Sequence, residues 1–97
     1  MKKTKLRIGR WTFHKAQAAR RARAIRDSYF DGEPITYGNH DGFIRALFDR
    51  HPNRANKLGG STIQDVFVEL HGHRARRFYL ALSDGSLIDF NYKRCLQ

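Results

Sequence analysis

Residues 78–96 read FYLALSDGSLIDFNYKRCL, and this stretch decides how the C-terminal half of the chain folds. Two apolar runs flank Asp84-Gly85, a dipeptide that favours the tight type I′ turn of a β-hairpin. The stretch therefore predicts two antiparallel strands, one over Arg77–Leu82 and one over Leu87–Phe90. A two-residue loop is the expected connection between them.

That loop length fixes the register of the predicted hairpin. Tyr79 then lies opposite Phe90, on the same face as Arg77, while the opposite face is purely apolar. The apolar face is the better one to pack against helices, which leaves two alternatives for the aromatic pair. Tyr79 and Phe90 either form a stacking platform for unpaired bases or are core aromatics beneath a loop. A loop one residue longer reverses the faces, and this favours the core alternative.

The other elements follow from the spacing of apolar residues. The first predicted helix has an Ala-rich apolar stripe and the second an apolar face, formed respectively by Ala18, Ala22, Ile25 and Tyr29 and by Phe43, Ile44, Leu47 and Phe48. The predicted order is a bent opening strand over residues 5–13, a first helix over 15–29, a second helix from Asn39 or His40 to Arg50, a loop over 53–61, and a strand from Thr62 to Leu70.

Helices that precede a run of strands indicate an α+β fold. We expect two helices packed on a three- to four-stranded, mainly antiparallel sheet. Because the chain has 97 residues, it forms a single domain over 1–97, with residues 1–7 as a partly flexible, basic N-terminus.

The net charge of +10 is large for this length, and it is unevenly distributed. Residues 1–30 contain ten Lys or Arg and one acid, 31–70 contain four bases and six acids, and 71–97 contain five bases and two acids. Two basic ends favour a polyanionic partner, above all nucleic acid. We predict phosphate contacts from basic residues of the first helix and of the sheet: Arg20, Arg23, Arg26, Arg74, Arg76, Arg77, Lys93 and Arg94.

Composition also limits the compartment and the partners. One cysteine excludes an intramolecular disulfide and fits a reducing environment. No apolar run reaches the length of a membrane span or of a signal-peptide core. We therefore expect a cytoplasmic protein without a membrane partner.

The chain offers weak candidates for a metal site or a reactive thiol. His71, His73 and Cys95 are too few and too poorly spaced for structural zinc, so we predict no metal and no cofactor. Cys95 lies next to Lys93 and Arg94, which would favour a reactive thiolate. A buried, small side chain is the favoured alternative for this cysteine.

Two carboxylates in the hairpin have structural explanations. Asp84 belongs to the predicted turn, and Asp89 either caps a final turn or pairs with Lys57 or His51. A metal-dependent nuclease built on Asp84, Asp89 and His51 is a remote alternative. No paired-carboxylate spacing demands it, so we predict no catalytic residues.

Three separated blocks resemble the plant "defective chloroplasts and leaves" (DCL-like) family. Asp84-Gly85-Ser86 followed by residues 89–96 is similar to that family's ending, although Asn91 stands where the family has Ser. His51-Pro52 with Lys57-Leu58-Gly59 is similar to its middle block, and residues 11–16 to its opening. The motif residues that we expect to be structural are His51, Pro52, Lys57, Gly59, Asp84, Gly85, Asp89 and Cys95.

The resemblance implies a compact α+β module with no established catalytic residues. Plant members are linked to organellar ribosomal RNA maturation, and one form is appended to an RNA polymerase large subunit. The favoured hypothesis is a non-enzymatic module that binds nucleic acid, RNA before DNA. The alternative is a protein-interaction module that docks to RNA polymerase or a ribosome-assembly factor through its sheet edge.

Overall fold

A computed structural model describes residues 5–71 and 75–97 of the chain. The described residues form two antiparallel sheets and three α-helices, which confirms the α+β class. The elements, in chain order, are β1 (Lys5–Ile8), β2 (Trp11–His14), α1 (Lys15–Arg26), α2 (Gly38–Phe48), α3 (Arg54–Leu58), β3 (Ile63–His71), β4 (Ala75–Leu82), β5 (Leu87–Phe90) and a 3₁₀ helix (Tyr92–Leu96).

The N-terminal part of the chain forms a sheet of its own, which differs from the prediction. The expected bent opening strand is a separate hairpin of β1 and β2, because Gly9 adopts a left-handed φ of 61° and reverses the chain between them. Residues 5–7, expected to be flexible, therefore lie in β1, while the rest of the predicted flexible N-terminus lies outside the described residues. The second sheet has the order β3-β4-β5.

The core lies between the helices and the inner face of β3-β4-β5. The Ala-rich stripe of α1 is buried as predicted, at Ala18, Ala22 and Ile25. Small side chains allow α1 to approach the 3₁₀ helix and β2 closely. The apolar face of α2 is fully buried as well, at Phe43, Ile44, Leu47 and Phe48.

The helix ends depart from their predicted positions. α1 ends at Arg26, three residues before the expected Tyr29. At this end the Ser28 hydroxyl donates to the Ala24 carbonyl, and the Arg76 guanidinium donates to the carbonyls of Arg26 and Tyr29. α2 begins at Gly38 with Tyr37 as its N-cap, since the Asn39 side chain accepts a hydrogen bond from Arg10 instead of capping the helix. It ends at Phe48 rather than Arg50.

The predicted loop over 53–61 contains a short helix. α3 is five residues long and ends at Gly59, whose left-handed φ of 54° is the common way to stop a helix. The first strand of the larger sheet starts at Ile63, close to the predicted Thr62.

The register of the β4-β5 hairpin is shifted by one residue from the prediction. Ala81 pairs with Leu87, Tyr79 with Asp89, and Phe78 with Phe90. The connection is a three-residue loop over 83–85 rather than a type I′ turn, with Gly85 at a φ of 89°. The longer loop reverses the faces, so Phe90 is directed into the core.

The Asp84 carboxylate serves this loop, as predicted. Its Oδ1 accepts a hydrogen bond from the Ser86 backbone N–H at 2.9 Å and from the Ser86 hydroxyl at 2.6 Å. These bonds hold the pKa of Asp84 below its ordinary value.

Replacing Gly85 with Ala should destabilise the fold by about 1–2 kcal/mol, the cost of a left-handed conformation for a residue with a Cβ. A Cβ at Gly85 would meet no atom within 4 Å, so the cost is conformational rather than steric. Urea unfolding followed by circular dichroism measures it.

Gly38→Ala is the matched control, because a Cβ there also meets open space but the residue is helical. This variant should be neutral or stabilising by up to about 1 kcal/mol. Equal effects of the two substitutions would contradict the left-handed requirement at Gly85.

Candidate functional site

A groove of about 330 Å³ opens between the end of α1, the start of β4 and the 3₁₀ helix. We call it the basic groove. It is lined by Arg23, Arg26, Ala75, Arg76, Arg77, Phe78, Phe90, Asn91, Tyr92 and Lys93. The groove thus brings together five of the eight basic residues predicted to contact phosphates.

Arg76 holds the groove together rather than lying free within it. Its Nη1 donates to the Arg26 carbonyl at 2.8 Å, its Nη2 donates to the Tyr29 carbonyl, and its Nε pairs with Asp31 at 2.9 Å. The guanidinium therefore joins β4 to the C-terminal end of α1. All three of these bonds are made to other residues of the protein.

Arg77 and Arg26 are also paired with carboxylates. Arg77 Nη1 lies 2.8 Å from Asp89 Oδ2 on the neighbouring strand, where both side chains are partly buried. Arg26 Nε lies 3.0 Å from Asp27 Oδ1 at the end of α1. These pairs lower the net charge of the groove and fix the direction of two guanidinium groups.

Arg23 and Lys93 supply the positive charge that no carboxylate of residues 5–71 and 75–97 pairs with. Arg23 is exposed, and its Nη1 lies 3.4 Å from the Tyr92 hydroxyl. Lys93 is exposed on the first turn of the 3₁₀ helix, which the Asn91 side chain caps through the Lys93 N–H at 3.0 Å. A guanidinium, an ammonium and a phenol hydroxyl are suitable donors for phosphate oxygens.

The other three predicted phosphate contacts lie outside the groove lining. Arg20 is exposed one turn before Arg23 on α1 and extends the same positive surface. Arg94 is exposed and lies near His51, and its charge helps to lower the pKa of that histidine. Arg74 lies outside the described residues.

Of the two alternatives for the aromatic pair, the favoured one holds for Phe90, which is a core aromatic and not part of a stacking platform. Its ring is 2 % exposed and packs on Phe48 and Phe78, with ring centroids 5.0 and 5.8 Å away. The three-residue loop causes this, since it places Phe90 beside Phe78 instead of Tyr79. Tyr79 is half-buried on the outer face, stacked on Phe67 at a centroid distance of 5.6 Å.

Sequence reasoning missed Tyr92 and Asn91 as groove residues. Tyr92 is 7 % exposed, so its ring belongs to the core and only its hydroxyl reaches Arg23. The sequence signal that could have indicated this role is the Asn91 cap, which begins the 3₁₀ helix and directs Tyr92 inward.

The motif residues hold the end of the sheet in place. His51 is 7 % exposed and packs on Phe48 and Phe90, and its Nδ1 accepts the Asn53 N–H at 3.0 Å. Pro52 follows it at the surface. The Lys57 ammonium donates to the Asp89 carbonyl at 2.9 Å, so Lys57 contacts the Asp89 backbone while the Asp89 carboxylate accepts from Arg77.

The residues of the nuclease alternative have structural contacts in this arrangement. Asp84 binds Ser86, Asp89 binds Arg77, and His51 binds the backbone of Asn53. Within residues 5–71 and 75–97, no three His, Cys, Asp or Glu side chains gather as a metal-ligand set. In the same part of the chain, no helix has the length and apolar character that a bilayer crossing requires.

Residues 23–96 match the family described as "Protein of unknown function (DUF3223)". The chain belongs to this family. The DUF3223 match begins at Arg23 and includes every residue that lines the basic groove. No curated protein matches the chain.

One solved structure is similar to this DUF3223 member, the solution NMR structure of an uncharacterized protein from Rhodospirillum rubrum. The TM-score is 0.84, the sequence identity is 24 %, and the alignment covers 97 % of this chain and 89 % of the other. This likeness supports the fold.

Acidification should destabilise the protein as the pH falls through the ordinary histidine range. Burial lowers the pKa of both His51 and His40 below the unfolded value, and nearby cations lower it further. The unfolded chain therefore binds more protons below a pH of about 6.5, and stability present above that pH is lost on acidification.

His51→Asn tests the contribution of one histidine, because an Asn side chain keeps an acceptor for the Asn53 N–H. The difference in unfolding free energy between pH 7.5 and pH 5.5 should shrink in this variant, with the remainder due to His40. An unchanged difference would exclude His51 as a source of the pH dependence. Urea unfolding at both pH values provides the measurement.

The Cys95 thiol should be unreactive in the folded protein. Burial raises its pKa to about 12, which contradicts the reactive-thiolate alternative and confirms the buried one. At pH 8 this thiol carries on the order of a thousandfold less thiolate than one of ordinary pKa. Labelling with a disulfide reagent should be slow in buffer and fast in guanidinium chloride; fast labelling of the folded protein would contradict burial.

Proposed function

We propose that this chain is a non-enzymatic, cytoplasmic module that binds nucleic acid, RNA in particular, through the phosphates held in its basic groove. The observation that carries the proposal is the convergence of Arg23, Arg26, Arg76, Arg77 and Lys93 on one groove from three separate elements. Side chains distant in sequence thus share one anion-sized opening on a chain of net charge +10.

The groove contains two kinds of cation: those bound to acceptors of the protein and those exposed to a ligand. Arg76 and Arg77 are held by acceptors of the protein, so they shape the groove and contribute a local positive field. Arg23 and Lys93 are exposed and supply the contacts to phosphate oxygens. The Tyr92 hydroxyl, fixed beside Arg23, adds a neutral donor. Contacts of this kind position a backbone and do not select a base sequence.

The choice of RNA over DNA rests on the resemblance to the DCL-like family. Its plant members are linked to organellar ribosomal RNA maturation, which favours a structured or ribosomal RNA partner. The proposal, which draws on this resemblance, is of a module that binds RNA without cleaving it.

A second candidate is protein docking at the edge of the larger sheet. The observation that favours it is β5, an edge strand whose Leu87 side chain is 60 % exposed. However, the Lys57 ammonium occupies the Asp89 carbonyl on this strand, which removes one acceptor that a docking strand would need. The groove therefore supports nucleic-acid binding better than the edge supports docking.

The proposal predicts RNA binding that weakens steeply with salt. Removing a side chain that binds one phosphate should reduce the slope of log K against log salt by about 0.7–0.9. Fluorescence anisotropy of a labelled structured RNA, a single-stranded DNA and a duplex DNA, each over a salt series, measures affinity and slope. The double variant Arg23→Ala with Lys93→Ala should weaken RNA binding by at least about tenfold. It should also reduce the slope of log K against log salt by the amount expected for about two phosphate contacts.

Arg54→Ala with Lys15→Ala is the matched control. Both side chains are exposed bases, both lie outside the basic groove, and their removal changes the net charge by the same amount. An equal drop in affinity in the control would show that net charge, and not the groove, drives binding. No RNA binding at low salt would overturn the proposal and leave protein docking ahead; RNA that is cut when magnesium is added would make the module an enzyme.

A further inference from the structure

Tyr37 is an exposed aromatic side chain whose ring packs against the ring of His40. The residue is 58 % exposed, and its ring centroid lies 4.7 Å from that of His40, with the two rings tilted by 56°. His40 is fixed in turn by Tyr29, whose hydroxyl lies 2.8 Å from His40 Nδ1 and whose ring packs edge-on at 5.7 Å. Phe30 is even more exposed, at 84 %, but no ring contact supports it within the described residues.

Two arginines lie close to neighbours of Tyr37: Arg10 beside Asn39, and Arg21 near His40. Arg10 lies 4.9 Å above the Trp11 ring and donates to Asn39 Oδ1 at 2.9 Å, two residues from Tyr37. Arg21 reaches the same region from α1, with its guanidinium 5.4 Å from the Phe43 ring. The charge of Arg21 acts on His40, since it adds to the effect of burial in lowering the His40 pKa.

Two carboxylates also lie near this region. Arg45 Nε binds both oxygens of Asp41 at 3.0 Å, so that charge is largely neutralised. Glu33 accepts the Phe30 backbone N–H at 2.9 Å and keeps its charge. With Arg10 and Arg21 present, the region around Tyr37 retains a positive balance.

The two sides of α1 connect this region to the basic groove. Arg23 and Arg26 line the groove on one flank of the helix, and Arg21 faces Phe43 and His40 on the other. Arg20 lies between these flanks, opposite the buried stripe of Ala18, Ala22 and Ile25. A strand that leaves the groove and crosses α1 therefore meets arginines throughout its path.

We propose that Tyr37, supported by His40, is a stacking site for an unpaired base of the same strand whose phosphates lie in the basic groove. This inference rests on the proposed function and specifies its ligand, single-stranded RNA or a single-stranded segment of a structured RNA. The exposed phenol ring stacks on the face of a base, while Arg10 and Arg21 bind the neighbouring phosphates. Because every base has such a face, the site tolerates any sequence.

The test compares two probes that differ only in their bases. One is a labelled oligouridine, and the other is an abasic ribose-phosphate oligomer of the same length. The Tyr37→Ala variant should bind oligouridine roughly fivefold or more weakly than the unmodified protein, in line with the loss of one stacked base. Its affinity for the abasic oligomer should not change, because the phosphate contacts remain.

Three further variants separate stacking from folding. Tyr37→Phe keeps the aromatic ring and should bind as the unmodified protein does. Tyr37→Leu keeps an apolar contact with His40 but has no ring, so it should lose affinity for oligouridine as Tyr37→Ala does. It serves as the test of stacking if Tyr37→Ala unfolds. Phe30→Ala removes an exposed but unsupported ring and should have no effect. Thermal unfolding of each variant shows that the loss of binding is not a loss of structure.

The outcomes distinguish this inference from the function on which it rests. If Tyr37→Ala and Tyr37→Leu leave oligouridine binding unchanged, or weaken both probes equally, the stacking site is overturned while groove binding stands. If the unmodified protein binds neither probe nor structured RNA, the proposed function fails, and the stacking inference fails with it.

Discussion

The guanidinium of Arg76 connects the two halves of this fold. It projects from the start of β4 and binds the carbonyls of Arg26 and Tyr29 together with the carboxylate of Asp31. These partners lie at the end of α1, 45 to 50 residues away in sequence. Charge-assisted hydrogen bonds of this kind contribute about 1.5–3 kcal/mol each. This one side chain thus ties the end of α1 and the residues after it to the strand that borders the basic groove.

The Arg76 contacts also change how the positive charge of the chain should be understood. Several cations that look available for a polyanion are used inside the molecule: Arg76 for the helix end, Arg77 for Asp89, and Arg45 for Asp41 and the β3 backbone. Arg50 likewise donates to the Cys95 carbonyl. The high net charge is therefore partly a structural requirement. Fewer side chains are thus left for a ligand, among them Arg23 and Lys93 of the basic groove.

The sequence predicted the α+β class, the buried stripes of α1 and α2, and β5 because burial follows the spacing of apolar residues. It did not predict the hairpin register, because Asp84-Gly85 is compatible with both two- and three-residue loops and the Ser86 contacts decide between them. Charge counting indicated the regions rich in basic residues, but it could not show which of these residues carboxylates and carbonyls would occupy. Tyr37 was missed for a related reason, since an exposed aromatic and a core aromatic look alike in sequence.

The Lys57 ammonium on the Asp89 carbonyl has a consequence for association between copies of the chain. A sheet edge with free backbone groups is a template for pairing and aggregation. At the opposite edge, the backbone N–H groups of Gly32 and Ile35 bind the carbonyls of Val68 and Val66 at 2.8 and 2.7 Å, and Pro34 bridges to Phe67. One edge of the sheet is thus covered by backbone and the other is interrupted by a charge. This arrangement disfavours growth of the sheet by strand addition at either edge.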